Sequence, residues 1–244
     1  MINEKSVSKK SVLMIVSNPA TSPITQWPIG FWWAELSHAW VEFNQAGYDI
    51  TIASPKGGDL QADGWSDPEH ESGYSAHDIT SLGFKKATLT SEKIRNTPKI
   101  SSLKMADFDA LFIVGGQGPM VTMVDDAELQ KFVAAFYETG KITSAVCHGT
   151  CVLLKTRLSS GDLLVEGKTW TGFANSEERY AEGAAGMKIQ PFWIEDEAKK
   201  IKDTNFITGG LLAEFVVRDG NLITGQQQVS SAATARKVIE ALGR

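Results

Sequence analysis

Runs of apolar residues alternate with helically spaced ones along much of this chain. Residues 11–17 form an almost continuous apolar run, the pattern of a strand buried on both faces of a parallel sheet. Residues 32–46 switch to helical spacing, with Trp32, Leu36, Ala39, Phe43 and Ala46 on one face and a stop at Gly47. Residues 48–53, 110–114 and 142–146 predict three further strands, and residues 126–139 a helix between the last two. Strand, helix and strand in repetition imply a parallel sheet with helices on both faces. Near the end, residues 215–217 and 222–224 flank Asp219-Gly220, a hairpin signal, and Ser230 or Ser231 caps a final helix that stops at Gly243.

The alternation lapses over residues 54–104, a polar stretch rich in Gly, Asp and Ser that also carries Trp65, Tyr74 and Phe84. It reads as an excursion over the sheet, with short helices near residues 75–82 and 91–95. Excursions of this length act as lids or packing embellishments. No repeat or linker interrupts the chain, so residues 1–244 are expected to form one α/β domain.

Composition narrows the function classes. Among 244 residues, 24 Lys+Arg face 29 Asp+Glu, and the net charge of -5 is spread along the chain, unlike a nucleic-acid footprint or a polybasic membrane patch. No apolar run approaches the ~18–20 residues that span a bilayer. Lys5, Lys9 and Lys10 ahead of the apolar run Val12 to Val16 superficially copy a signal peptide, but the run is short and Asn18-Pro19 ends it. A first buried strand and a cytoplasmic protein are expected. Two cysteines, Cys147 and Cys151, make no secreted disulfide framework. His70 and His77 show no metal spacing, so no metal is expected.

Candidate chemistry centres on Ala145-Val146-Cys147-His148-Gly149, directly after a predicted strand. The segment fits a nucleophile elbow with Cys in place of Ser, where small flanking residues tolerate a sharp strand-to-helix turn. Such a turn presents Cys147 at the carboxyl edge of the sheet, where open α/β folds keep their sites. A thiolate facing a helix N-terminus is expected to have a lowered pKa. Cys151 follows into the helix as a core hydrophobe. Glu35 borders the apolar stripe of its helix, where partial desolvation favours a protonated, hydrogen-bond-donating carboxyl. Asn175 followed by Glu178 makes a capping box, and capping alone accounts for both Glu177 and Glu178. Gly115-Gly116-Gln117-Gly118 lacks the residues of a phosphate loop or dinucleotide fingerprint; its N–H groups suit an oxyanion hole, and a plain tight turn explains it equally well.

Taken together, these segments resemble the ThiJ/PfpI superfamily. The residues that carry the resemblance are the elbow, Gly30-Phe31-Trp32-Trp33-Ala34-Glu35, Ala53-Ser54-Pro55-Lys56-Gly57-Gly58, Val114-Gly115-Gly116, Thr171-Gly172-Phe173 with Glu177-Glu178, and Leu222-Ile223-Thr224-Gly225-Gln226. Within it the chain is similar to the branch of heat-inducible chaperones and glutathione-independent glyoxalases (glyoxalase III), often labelled class I glutamine amidotransferase-like. The resemblance implies a flavodoxin-like three-layer sandwich, a homodimer and no cofactor. It implies Cys147 as nucleophile, His148 as general acid/base, Glu178 as the acid orienting His148, and Glu35 as a protonated carboxyl beside the thiol. The backbone N–H groups of Gly116 and His148 would face an oxyanion. Gln117 stands where the branch commonly has His. Residues 119–123 lack its aromatic and acidic residues, and Gln226-Gln227-Gln228-Val229 replaces its usual Asn-Pro-Ala.

Three activities fit these parts. The first is conversion of a small reactive carbonyl, typified by methylglyoxal to lactate. The second is an amidase or peptidase reaction through a thioester. The third is a stress chaperone or redox sensor in which Cys147 is oxidised.

Overall fold

Five residues in a row with no solvent exposure, Val12 to Val16, lie in or just beyond the first strand, as their uninterrupted apolar pattern requires. The computed structural model describes residues 9–243; Lys5 of the apparent leader lies outside them. The central sheet has six strands: β1 (Ser11–Ile15), β2 (Asp49–Ala53), β3 (Ala110–Ile113), β4 (Ile142–Val146), β5 (Val216–Asp219) and β6 (Leu222–Gly225). Their spatial order is β2-β1-β3-β4-β6-β5. Every pairing is parallel except β5 with β6, the hairpin across Asp219-Gly220. Leu13 lies opposite Leu111, Phe112 opposite Ser144, and Ala145 opposite Thr224. This is the flavodoxin-like order, with the chain reversing direction across the sheet at β1 and β3.

The longer helices are α1 (Trp33–Gln45), α2 (Ile79–Lys86), α3 (Ala127–Glu138), α4 (Asn175–Ala185) and α5 (Ser231–Ala241). The Asp126 side chain caps α3 by accepting from Glu128 N at 3.0 Å and Leu129 N at 2.9 Å. α1 and α5 pack side by side. Neither serine expected to cap α5 does so through its side chain. Ser230 Oγ accepts from Phe215 N, and Ser231 Oγ donates to the Glu35 carbonyl at 2.7 Å. A tertiary contact takes each hydroxyl, and the second fastens α5 to the turn of α1 that carries Glu35.

Residues 54–104 are embellishment and wall at once. The helices expected near residues 75–82 and 91–95 form instead at Ile79–Lys86 and Thr88–Ser91, the latter followed by a 3-10 turn, Glu92–Ile94. The shift follows from Asp78, whose carboxylate caps α2 by accepting from Ser81 N at 3.0 Å. Phe84 of α2 is buried against Trp33 and Trp40 of α1. The stretch between β2 and α2 places Trp65 and Tyr74 at the cavity that Cys147 lines. No helix among the described residues is long and apolar enough to cross a membrane.

Candidate active site

β4 ends at Val146, and the chain turns so sharply that Cys147 takes φ +57°, a left-handed conformation disfavoured for a residue with a Cβ. The turn continues as a 3-10 helix, Cys147–Leu154, tighter than the α-helix expected. Its neighbours must be small: a Cβ on Gly149 would lie 2.9 Å from the carbonyl oxygens of both Ile113 and Val114. Thr150 Oγ1 donates to the Cys147 carbonyl at 2.7 Å and braces the turn. Cys151 is fully buried and its thiol is pushed far up by burial, consistent with a core hydrophobe.

The elbow puts Cys147 Sγ 3.5 Å from His148 Nδ1, while His148 Nε2 lies 2.9 Å from Glu178 Oε1. All three side chains are buried, and Phe173 stacks on the imidazole with ring centroids 4.1 Å apart. With Nε2–H donated to Glu178, Nδ1 is left as an acceptor facing the thiol. The capping box expected from Asn175 and Glu178 is shifted by one residue. Helix α4 begins at Asn175, and Glu177 reaches back to accept from Ala174 N at 3.1 Å. Glu177 also accepts from Gln226 Nε2 at 2.8 Å and from Leu212 N at 3.3 Å. The two adjacent glutamates therefore separate: Glu177 ties α4 to the loop after β6, and Glu178 faces the histidine.

Glu35 is fully buried, deeper than the rim position its sequence context suggested. Its Oε2 accepts from Gly115 N at 2.8 Å. Its Oε1 is buried without a hydrogen-bond partner, and the Cys147 thiol acts on the carboxyl from nearby. Burial pushes the Glu35 carboxyl up to about 8, against the smaller opposing effects of the thiol and of Gly115 N–H. At neutral pH this favours the protonated carboxyl.

The expectation of a lowered Cys147 pKa is corrected. Burial pushes the thiol well above its ordinary range and the neighbouring Glu35 adds to this, while the N–H groups of His148 and Gly116 pull it down by less. Desolvation outweighs the turn's dipoles because Cys147 is only 3 % exposed. The site therefore favours the thiol over a free thiolate.

Those same two N–H groups, of Gly116 and His148, act on the sulfur. Gly116 has φ +100°, and a Cβ there would lie 2.5 Å from Trp32 N, so only glycine fits so close to the start of α1. Sequence reasoning missed Asp63. It is fully buried and accepts from Gly30 N at 3.0 Å and from Gln117 N at 2.7 Å. No spacing connects it with the glycine turn; only the fold brings the two together, through the pairing of Phe31 with Ala62.

A cavity of about 60 Å3 opens over the thiol, lined by Trp27, Trp32, Trp65, Tyr74, Phe173 and Tyr180 together with Gln117 and the triad. It has room for about four to six water-sized groups. Trp65 joins the aromatic wall by packing against Trp27 and Tyr74, with ring centroids 5.5 Å and 6.0 Å apart. Its lining residues include no lysine or arginine. Among the described residues no group of three His, Cys, Asp or Glu side chains could hold a metal ion.

Residues 30–241 match the model of the DJ-1/PfpI family. The chain is 30% identical over 220 residues to Glyoxalase 3 of Candida albicans, covering 87% of this chain and 89% of that protein. The crystal structure of glyoxalase III from Candida albicans superposes with a TM-score of 0.76 at 26% identity, over 95% of this chain and 97% of that one. A shorter similarity, 36% over 119 residues, relates 48% of this chain to 66% of the putative cysteine protease YraA of Bacillus subtilis.

Proposed function

The chain belongs to the DJ-1/PfpI family, and from that premise we propose that it is a cysteine-dependent, cofactor-free enzyme of the glyoxalase III type, converting small 2-oxoaldehydes such as methylglyoxal to 2-hydroxy acids. One observation carries the reading. A buried thiol lining a small cavity without cations has an acceptor nitrogen, His148 Nδ1, next to it and the protonated carboxyl of Glu35 beside it. A proton acceptor and a proton donor at one carbon–carbon unit are what an aldehyde-to-acid rearrangement needs.

The steps follow from the positions. Cys147 passes its proton to His148 Nδ1 as sulfur adds to the aldehyde carbon, and the new oxygen meets the N–H groups of Gly116 and His148. The product is a hemithioacetal. His148 and Glu35 then move the hydrogen of the former aldehyde carbon to its neighbour by way of an enediol, so that the first carbon becomes a thioester carbonyl and the second carries a hydroxyl. Water hydrolyses the thioester, releasing the hydroxy acid and restoring the thiol. Glu178 holds His148 in the tautomer that leaves Nδ1 free. The sum is one oxoaldehyde plus one water giving one hydroxy acid, with no net redox change.

A second reading, an amidase or peptidase, uses the same thiol, histidine and glutamate, and the similarity to YraA favours it. The cavity argues for the smaller substrate, because it is small and walled by aromatic residues that include Trp65 and Tyr74. The oxidised-cysteine reading calls for an accessible thiol of low pKa. Cys147 is buried with a raised one. A substrate panel on the purified protein separates the first two readings: methylglyoxal and phenylglyoxal against small amides and a fluorogenic peptide, without glutathione. Oxoaldehyde turnover with inert amides is expected. The reverse pattern would replace this reading with the second.

A further inference from the structure

Asp63 is buried beside the site and takes no part in the steps above. A carboxyl drawn wholly out of water is costly unless its oxygens are satisfied. Here both are satisfied by backbone N–H groups rather than by a cation: Gly30 on Oδ1 and Gln117 on Oδ2. Gly118 N donates in turn to the Gly30 carbonyl at 2.7 Å. Asp63 thus clasps two backbone segments, the entry to α1 and the glycine turn. Gln117 N belongs to the peptide that follows Gly116, and Gly116 supplies one of the two N–H groups acting on Cys147 Sγ.

We propose that Asp63 is a positioning residue for the oxyanion hole, clamping the Gly116–Gln117 peptide so that Gly116 N–H points at the reacting oxygen. The inference rests on the proposed reaction for its catalytic consequence, though not for its geometry. A glycine can adopt many backbone conformations, so the placement of Gly116 depends on the bonds to either side of it, and Gly115 N donates to Glu35 Oε2 at 2.8 Å on one side. Trp32 N donates to the Gly115 carbonyl at a long 3.3 Å. The 2.7 Å bond from Gln117 N to Asp63 is the restraint on the other side, and without it only the Gly115 side of the turn is held. The titratable groups that act on Asp63 are Glu35 and His148, and burial pushes its own carboxyl up to about 7.

The test is Asp63→Asn in the full chain. The amide keeps the shape and one acceptor but turns an NH2 toward the other N–H. Loss of one oxyanion donor lowers kcat by about 10²–10³-fold. KM for methylglyoxal should change by no more than about threefold, since no side chain that lines the cavity is replaced. Alkylation of Cys147 by iodoacetamide, followed against pH, gives a reading independent of turnover. Removing only a negative charge would move its midpoint down. Losing the Gly116 N–H moves it up, and up is the expected result. A folded Asp63→Asn protein with wild-type kcat, or with a midpoint unmoved or lowered, overturns the proposal. If the variant does not fold, NMR of the wild-type protein decides: the Gly30 and Gln117 amide shifts should titrate together near pH 7, and independent titration contradicts the clamp. If the wild-type protein turns over no oxoaldehyde, the proposed reaction fails while the alkylation and amide readings still judge Asp63.

Discussion

His148 Nε2 lies 2.9 Å from Glu178 Oε1, although the residue next to it, Glu177, is the one whose position a helix cap would explain. The two glutamates differ by one step along the first turn of α4, and that step sends one to the imidazole and the other to backbone N–H groups and Gln226. Their substitutions should separate accordingly.

Glu178→Gln should leave the fold intact and lower kcat by about 10²–10⁴-fold, because His148 loses the carboxylate that fixes its tautomer. Glu177→Ala should do the opposite. It strands the N–H groups of Ala174 and Leu212 and the Gln226 amide, costing about 1–3 kcal/mol of stability, with kcat within a few-fold of wild type. Steady-state kinetics beside urea unfolding distinguishes the pair.

Glu35 sets a pH limit on both activity and stability. Its carboxyl titrates at about 8 in the folded protein against an ordinary 4.5. The folded state therefore retains a proton that the unfolded chain releases. This stabilisation is fully present below 4.5 and is lost as the pH rises through about 8. Glu35→Gln should make the fall in stability across that window shallower. A residual slope should remain at its lower end, since Asp63 rises from 3.8 to about 7. The same substitution should lower kcat by about 10²–10⁴-fold by removing the proton donor. Wild-type activity should decline above pH 8 as Glu35 ionises. Unfolding curves at pH 5 and pH 8 and a kcat profile check both halves.

Strain at the nucleophile gives a prediction on stability alone. Cys147 sits at φ +57°, where glycine pays no steric penalty and alanine does. Cys147→Gly should therefore be more stable than Cys147→Ala by about 1 kcal/mol, both being inactive. Equal stabilities would mean that the elbow relaxes when the thiol is removed.

Much of this arrangement is legible in the chain because its signals are local. The continuous apolar runs mark β1, β3 and β4, and the small residues around Cys147 mark the elbow, since hydrophobic period and steric crowding act over a few residues. Glu35 is visible as a polar residue beside an apolar stripe, but its depth depends on α5, whose Ser231 closes over it from far along the chain. The pKa of Cys147 is misjudged from sequence for the same reason: a helix terminus is a local feature, whereas burial is set by tertiary packing around the thiol. Glu177 and Glu178 cannot be told apart from spacing, because both positions suit the first turn of a helix. Asp63 leaves no sequence signal, as its partners are backbone N–H groups of remote segments. The run Gln226-Gln227-Gln228, a departure from the family's usual residues, gains a role only in the fold, where Gln226 braces Glu177 and accepts from Gly209 N at 2.6 Å.

The measurement closest to the central claim is lactate formation from methylglyoxal in glutathione-free buffer, comparing the wild-type protein with Cys147→Ala. The thiol chemistry proposed here predicts stoichiometric conversion of aldehyde to lactate by the wild type and none above background by the folded variant. Lactate production by Cys147→Ala at a rate comparable to wild type would contradict it.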